Sequence, residues 1–167
     1  MTTAPPEYRI ERVPSARVLE FVAYFWPGDI AAHEGWPMAP GDARRDAQQR
    51  PRLLNFAPGR WLAPHADADQ QSVFEAAATA GAGVAVDVTG KWSGFELSGP
   101  GATRLLAFTI DVAAVLAGRE CAAVTLFDCP AIVARSAAGF RIWVQSSYGA
   151  HFLETAAQCG AALRREG

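Results

Sequence analysis

The sequence predicts an α+β domain: a mixed β-sheet built from two halves related to the ferredoxin-like unit, with helices packed on it. Short runs rich in β-branched and aromatic residues recur along the chain, and each stops at a Pro/Gly cluster. Segments of helical composition fall between them, giving the order β-α-β-β-α-β and then β-α-β-β-β-α. An internal echo supports two related halves. Gly59-Arg60-Trp61-Leu62 and Gly139-Phe140-Arg141-Ile142-Trp143 each open a strand just before a helix.

In chain order, Met1 to Pro14 reads as a flexible arm, because Pro5-Pro6 and charged neighbours oppose regular structure. Residues 15–167 then form one domain. Val18 to Trp26 is a strand that stops at Pro27-Gly28, and Asp29 to His33 has room for a short helix. Pro37 to Arg50 is the most polar stretch and reads as an exposed loop. Two strands, Arg52 to Ala57 and Arg60 to Ala63, meet at a Pro58-Gly59 turn. Asp67 to Ala80 is helical in composition, and Gly81-Ala82-Gly83 ends it.

Val84 to Val88 reads as a buried strand, with Val84, Val86 and Val88 on one face and Ala85 and Asp87 on the other. The strand from Trp92 to Leu97 sets Ser93, Phe95 and Leu97 against Trp92, Gly94 and Glu96. Pro100 suits the first position of a helix, where a missing N–H costs nothing, and Leu105 and Leu106 are its core contacts. Ala122 to Asp128, Ala131 to Arg135 and Phe140 to Gln145 are further strands, joined at Cys129-Pro130 and at Ser136 to Gly139. The last helix runs from about Ser147 to Leu163, capped by Ser146 or Ser147. Tyr148, Phe152, Thr155, Cys159 and Leu163 share one face at helical spacing.

Bulk composition narrows the function. Half of the 167 residues are hydrophobic, enough for a core without disulfide or metal staples. A formal charge of −2 gives no electrostatic case for nucleic acid or an anionic membrane. Lys91 is the single lysine; every other basic residue apart from histidine is arginine, the better residue for bidentate interface contacts. Cys121, Cys129 and Cys159 form neither a disulfide framework nor a zinc knuckle. The first residues lack the basic-then-apolar pattern of a signal peptide. The apolar run Leu105 to Ala117, broken by Thr109 and Asp111, falls short of the roughly 20 residues of a membrane span. A soluble, cytoplasmic location is expected.

No constellation of reactive side chains emerges, so neither catalytic nor metal-binding residues are assigned. His65 precedes Asp67 and Asp69, but this cluster is local, and an Asp N-cap accounts for the acids. His151 and Glu154 are an i, i+3 surface pair, and His33 has no identifiable partner. Cys121 and Cys129 lie in or beside apolar strands, where buried thiols are inert. Gly99-Pro100-Gly101 precedes a helix, but Pro100 removes one of the N–H donors an anion needs. Asp87 interrupts an apolar strand. It either lines a cleft or accepts hydrogen bonds at the strand end, from Thr89 or the backbone. Trp26, Trp36, Trp61, Trp92 and Trp143 are many for this length. Trp92 and Trp143 fall opposite the apolar strand faces, which implies either a two-sided core or a partner covering the second face, with Trp92 the favoured contact.

From Asp87 onward the wording resembles the gamma subunit family of heterotetrameric sarcosine oxidase. The resemblance is carried by L-S-G-P-x-A…L-L-A at Leu97 to Ala107, I-D-V at Ile110 to Val112 leading to C-A-x-V-T at Cys121 to Thr125, and S-S-Y at Ser146 to Tyr148. Upstream, Leu53 to Pro64 resembles that family's strand-turn-strand with a central Trp. The match spans roughly Arg52 to Ala162. The layout is also similar to the folate-binding domain of aminomethyltransferases. The resemblance implies an accessory, structural subunit in the oxidative demethylation of sarcosine to glycine. It implies alpha, beta and delta partners that carry FAD, FMN, NAD and tetrahydrofolate, with no cofactor on this chain. A stand-alone folate or small-molecule binding domain is the alternative.

Overall fold

Strand pairing divides the chain between two sheets. The structure, a computed structural model, describes residues 8–14, 16–24, 36–37 and 39–166. Among them the strands are β1 (Arg9–Arg12), β2 (Leu19–Ala23), β3 (Ala43–Arg45), β4 (Pro51–Ala57), β5 (Arg60–Ala63), β6 (Gly83–Asp87), β7 (Trp92–Ser98), β8 (Cys121–Leu126), β9 (Cys129–Ser136) and β10 (Gly139–Gln145). The helices are α1 (Ala68–Thr79), α2 (Ala102–Leu106), α3 (Val112–Val115) and α4 (Gly149–Glu166), the last entered through a 3-10 turn at Ser146–Tyr148.

One sheet has the order β1-β7-β10-β9-β8 and the other β3-β4-β5-β2-β6. The α+β class expected from the sequence is therefore present, but as two sheets in which every described pairing is antiparallel rather than as a mixed sheet. Tight turns are the reason. The connections β4–β5, β8–β9 and β9–β10 span only two residues each, and such turns join only antiparallel neighbours.

The two halves are related strand for strand. Reading one sheet as β6-β2-β5-β4-β3 and the other as β1-β7-β10-β9-β8 puts β5 and β10 in the same place, each followed by its half's long helix. The sequence echo at Gly59 and Gly139 thus falls on equivalent strands. The strands β4-β5-β2-β6 reproduce the ferredoxin-like order. In the other half, the slot that follows the last helix is filled by β1 from the opposite end of the chain.

Three apolar clusters glue four layers together. The first lies between α2, α3 and α4 and one face of the β7–β10 sheet, where Phe95, Leu97, Ile142 and Val144 meet Leu105, Leu106 and Phe152. The second lies between α1 and the outer face of the β2–β5 sheet, where Phe21, Trp36, Trp61 and Phe74 stack with ring centroids 5.1–6.1 Å apart. The third joins the sheets to each other through Leu54, Phe56, Leu62, Ile132, Ala134 and Trp143. Trp143 is 3% exposed there, so the two-sided core accounts for it without an external partner.

Several local expectations are corrected. The flexible arm expected over 1–14 contains β1, held by pairing Ile10 with Leu97 and by Val13 N–H donating to the Gly94 carbonyl at 2.8 Å. Its charged residues suit a sheet edge, which is why it lacks an apolar strand pattern. The expected loop Pro37 to Arg50 contains β3. Val84 and Val86 are 37% and 43% exposed, because β6 is an edge strand and turns only Ala85 toward α1. Pro100 lies in the turn ahead of α2, whose N-cap is Gly101. The β8–β9 turn is at Phe127-Asp128, with φ of 48° and 61°, so Cys129-Pro130 belongs to β9. The Ser146 or Ser147 cap is replaced by the 3-10 turn, and Tyr148 is exposed while Phe152 is fully buried. The strand residues Phe25 and Trp26, the short helix at Asp29 to His33, and His33 itself lie outside the described residues.

Candidate functional site: the cleft between the sheets

Where β1 and β7 pass the end of the β2–β5 pair, the two sheets part and leave a cleft of about 240 Å³. Its polar lining comes from Arg12 on β1, His65 just after β5, Trp92 and Ser93 on β7, and Ser146 just after β10. Val18, Pro64 and Trp143 supply apolar wall. Local sequence explains the placement. Ser93 stands on the apolar side of β7 with Phe95 and Leu97, so the residue is 5% exposed and its hydroxyl lies beside α4. Gly149, the first residue of α4, leaves space beside the Ser93 hydroxyl.

A short chain of hydrogen bonds runs on the face of β7 that is turned toward the helices. Arg12 Nη2 donates to Ser93 Oγ at 3.1 Å, and Ser93 Oγ donates to Ser146 Oγ at 3.2 Å. Trp92 keeps its indole Nε1 buried with no acceptor among the described residues. A buried donor left in this state costs about 1–3 kcal/mol. His65 is half-buried, and its pKa lies below the ordinary imidazole value. Burial is the main cause, with the positive charges of Arg141, Arg52 and Arg50 adding to it and Asp46 opposing. Among the described residues no Asp or Glu side chain lines the cleft.

A larger cleft of about 310 Å³ lies beside α1, over Trp36, Leu53 and Phe74. Three of its arginine and aspartate pairings are made within the fold. Arg52 pairs with Asp67, Arg45 Nε donates to Glu120 at 3.1 Å, and Arg50 Nε meets Asp46 at 2.7 Å.

The residues singled out from sequence resolve as follows. Asp67 is the N-cap of α1 in a reciprocal capping box with Gln70, its carboxylate accepting from the Gln70 N–H at 2.9 Å, and Asp69 sits in the first turn. The cap reading of these acids holds, and His65 stands apart from them in the inter-sheet cleft. His151 and Glu154 are exposed on α4. Asp87 is exposed at the end of β6. Its pKa is held below the usual carboxylate value by hydrogen bonds from Thr89, then by Arg17, whose Nε lies at 3.2 Å. Gly99-Pro100-Gly101 forms a turn ahead of a five-residue helix. Burial pushes the Cys121 thiol up to about 12, and Cys129 is also raised by burial. Trp36, Trp61 and Trp143 are core, and Trp92 is half-buried against the inter-sheet cluster. Among the described residues no group of three or more His, Cys, Asp or Glu is placed to hold a metal. No described helix is long and apolar enough to cross a membrane.

Sequence reasoning missed Arg12, Ser93, Ser146 and Glu20. Ser93 had a legible mark, a hydroxyl at a core position of an alternating strand. So did Glu20, a lone carboxylate in an apolar run.

No family model matches the sequence, and no curated protein sequence matches it. The fold is nevertheless shared with a solved chain. A chain of the heterotetrameric sarcosine oxidase from Corynebacterium sp. U-96, solved in complex with pyrrole 2-carboxylate, superimposes with a TM-score of 0.77. The match covers 97% of this chain and 88% of that one, at 19% sequence identity. The architecture is that of a chain of that enzyme.

Proposed function

We propose that this chain is a structural, non-catalytic subunit of a heterotetrameric complex of the sarcosine oxidase type. The observation that carries this reading is the shared architecture over nearly the full length of both chains. The proposed partners are alpha, beta and delta chains, which would hold FAD, FMN, NAD and tetrahydrofolate. Large apolar side chains remain exposed at Tyr24, Val84 and Val86 along the β6 edge and at Phe108 and Leu153 over the helices. Such residues are the natural contacts for larger subunits.

Co-expression with its neighbouring genes tests the proposal. A tagged chain is expected to carry flavin-containing partners, and the purified assembly to oxidise sarcosine with release of hydrogen peroxide. The chain alone is expected to be colourless and inactive. Recovery as a free monomer in the presence of folded partners would overturn the reading. Micromolar binding of tetrahydrofolate by the isolated chain would instead favour a stand-alone folate-binding domain.

A further inference from the structure

We propose, on the footing that this chain is a subunit of a larger complex, that the open edge of β6 accepts an extended, acidic segment of a partner chain as an added strand. Among the described residues β6 is the sheet edge left ready for one. Val84 and Val86 spend their N–H and C=O groups on Val22 and Glu20 of β2, so those of Gly83, Ala85 and Asp87 point away from the sheet. The other edges are protected by charge, irregularity or cover, the usual devices that keep an edge from pairing with another chain. β1, which fills the equivalent place in the other half, carries Arg9, Glu11 and Arg12. β3 has three residues, two of them arginine, and its register shifts between Arg44 and Arg45. β8 has its first N–H taken by the Gly41 carbonyl, and it exposes only the small side chains of Ala123 and Thr125. β6 keeps its single charge at its last position, where Arg17 pairs with Asp87, and it exposes two valines in mid-strand.

Strand register puts those valines and a group of charges on one face. Arg60 of β5, Val22 of β2 and Val84 of β6 form one row, and Leu62, Glu20 and Val86 form the next. The opposite sheet covers Leu62 but leaves Val84 and Val86 37% and 43% exposed. Beside them Arg60 and Lys91 share the one buried carboxylate of Glu20, and both cations remain about two-fifths exposed. Two cations on one carboxylate leave a positive charge in excess next to the valines. The complementary segment is therefore acidic. As an added strand it pairs its backbone with Gly83, Ala85 and Asp87, sets alternate apolar side chains against Val84 and Val86, and turns a carboxylate on the same face toward Lys91. A second copy of this chain would bring the same valines and the same excess of positive charge, so it is not the matching occupant.

Co-expression of the tagged full chain with its neighbouring genes tests the assignment. The parent chain is expected to carry flavin-containing partners, and Val84→Glu with Val86→Glu to recover at least about tenfold less of them while melting as the parent does. Val86→Lys, which keeps the sign of the local charge, should lose less than Val86→Glu. The amide protons of Ala85 and Asp87 should exchange at least about tenfold more slowly in the assembly than in the free chain, a change that side-chain contact alone would not produce. Should the double variant melt early, this exchange decides. Unchanged exchange, equal partner recovery, or equal losses from Val86→Lys and Val86→Glu would each overturn the edge assignment and leave the subunit role standing. Recovery of no flavin chain by the parent overturns both. Protection of the same amides in a dimer of the free chain would give the edge to a second copy and overturn the proposal.

Discussion

Arg60 on β5 reaches diagonally across to the buried carboxylate of Glu20 on β2, with Arg60 Nε at 3.0 Å from Oε1. The Glu20 side chain is 4% exposed, and its second oxygen accepts from Lys91 Nζ at 3.1 Å. The other half repeats the pairing, because Arg141 on β10 meets Glu96 directly opposite on β7, and Ser136 completes that carboxylate. Both halves thus place an Arg–Glu pair across equivalent strands, diagonal in one and directly opposite in the other. A buried carboxylate that loses its main cation is destabilising, while the 42% exposure of the Arg60 side chain moderates the effect. Arg60→Met is expected to lower stability by about 2 kcal/mol and Lys91→Met by about 1 kcal/mol, as read from urea midpoints.

Gly160 on α4 lies directly against Tyr8, just ahead of β1. A β-carbon at 160 would overlap the Tyr8 hydroxyl. Gly160→Ala is accordingly expected to cost about 1–3 kcal/mol, although alanine is the better helix former. A double-mutant cycle with Tyr8→Ala checks the cause. If the clash is responsible, Gly160→Ala becomes neutral or stabilising in the Tyr8→Ala background.

The depressed pKa of His65 has a consequence for stability. The unfolded chain binds this proton more tightly than the folded one, so protonation favours unfolding. Stability should rise with pH between the lowered folded value and the unfolded value of about 6.5, and His65 should contribute no slope above that. Denaturant midpoints measured across this window should show a positive slope that His65→Gln reduces.

Thiol accessibility gives a separate check on the core. Cys121 is fully buried and has its thiol pushed up to about 12, while Cys129 is equally enclosed. Cys159 on α4 is only half-buried. A thiol reagent applied to the native protein should label Cys159 alone among the three, and all three after unfolding. Mass spectrometry of digests reads the result directly.

Trp143 ties the two sheets together from β10. Trp143→Ala is expected to cost about 3–5 kcal/mol, the range for deleting a large aromatic side chain from a core. Thermal unfolding measures this, and a loss below about 1 kcal/mol would mean that the inter-sheet cluster tolerates a cavity without consequence.

Much of the fold was written locally. The hairpin β4–β5, helix α1 with its Asp67 cap, strand β7 and the face of α4 follow from alternation, helical periodicity and turn residues, each of which acts over a few positions. The site was less legible. Arg12 and Ser146 are ordinary polar residues in sequence, and they meet Ser93 only because β1 pairs with β7 and β10 delivers the last helix beside it. The charged edge strand β1 carries no apolar pattern, and the exposure of Val84 and Val86 depends on β6 lying at a sheet edge.

The sequence by itself determined the α+β class, most element positions, the kinship of the two halves and the buried character of Cys121 and Cys129, because these depend on short-range patterns of side-chain size and polarity. The tertiary structure alone decided that there are two antiparallel sheets instead of one mixed sheet, that the tryptophans of the second face are covered from within, and that Arg12 meets Ser93. Those outcomes depend on contacts between segments some eighty residues apart, as between Arg12 and Ser93, and no local pattern encodes such distances.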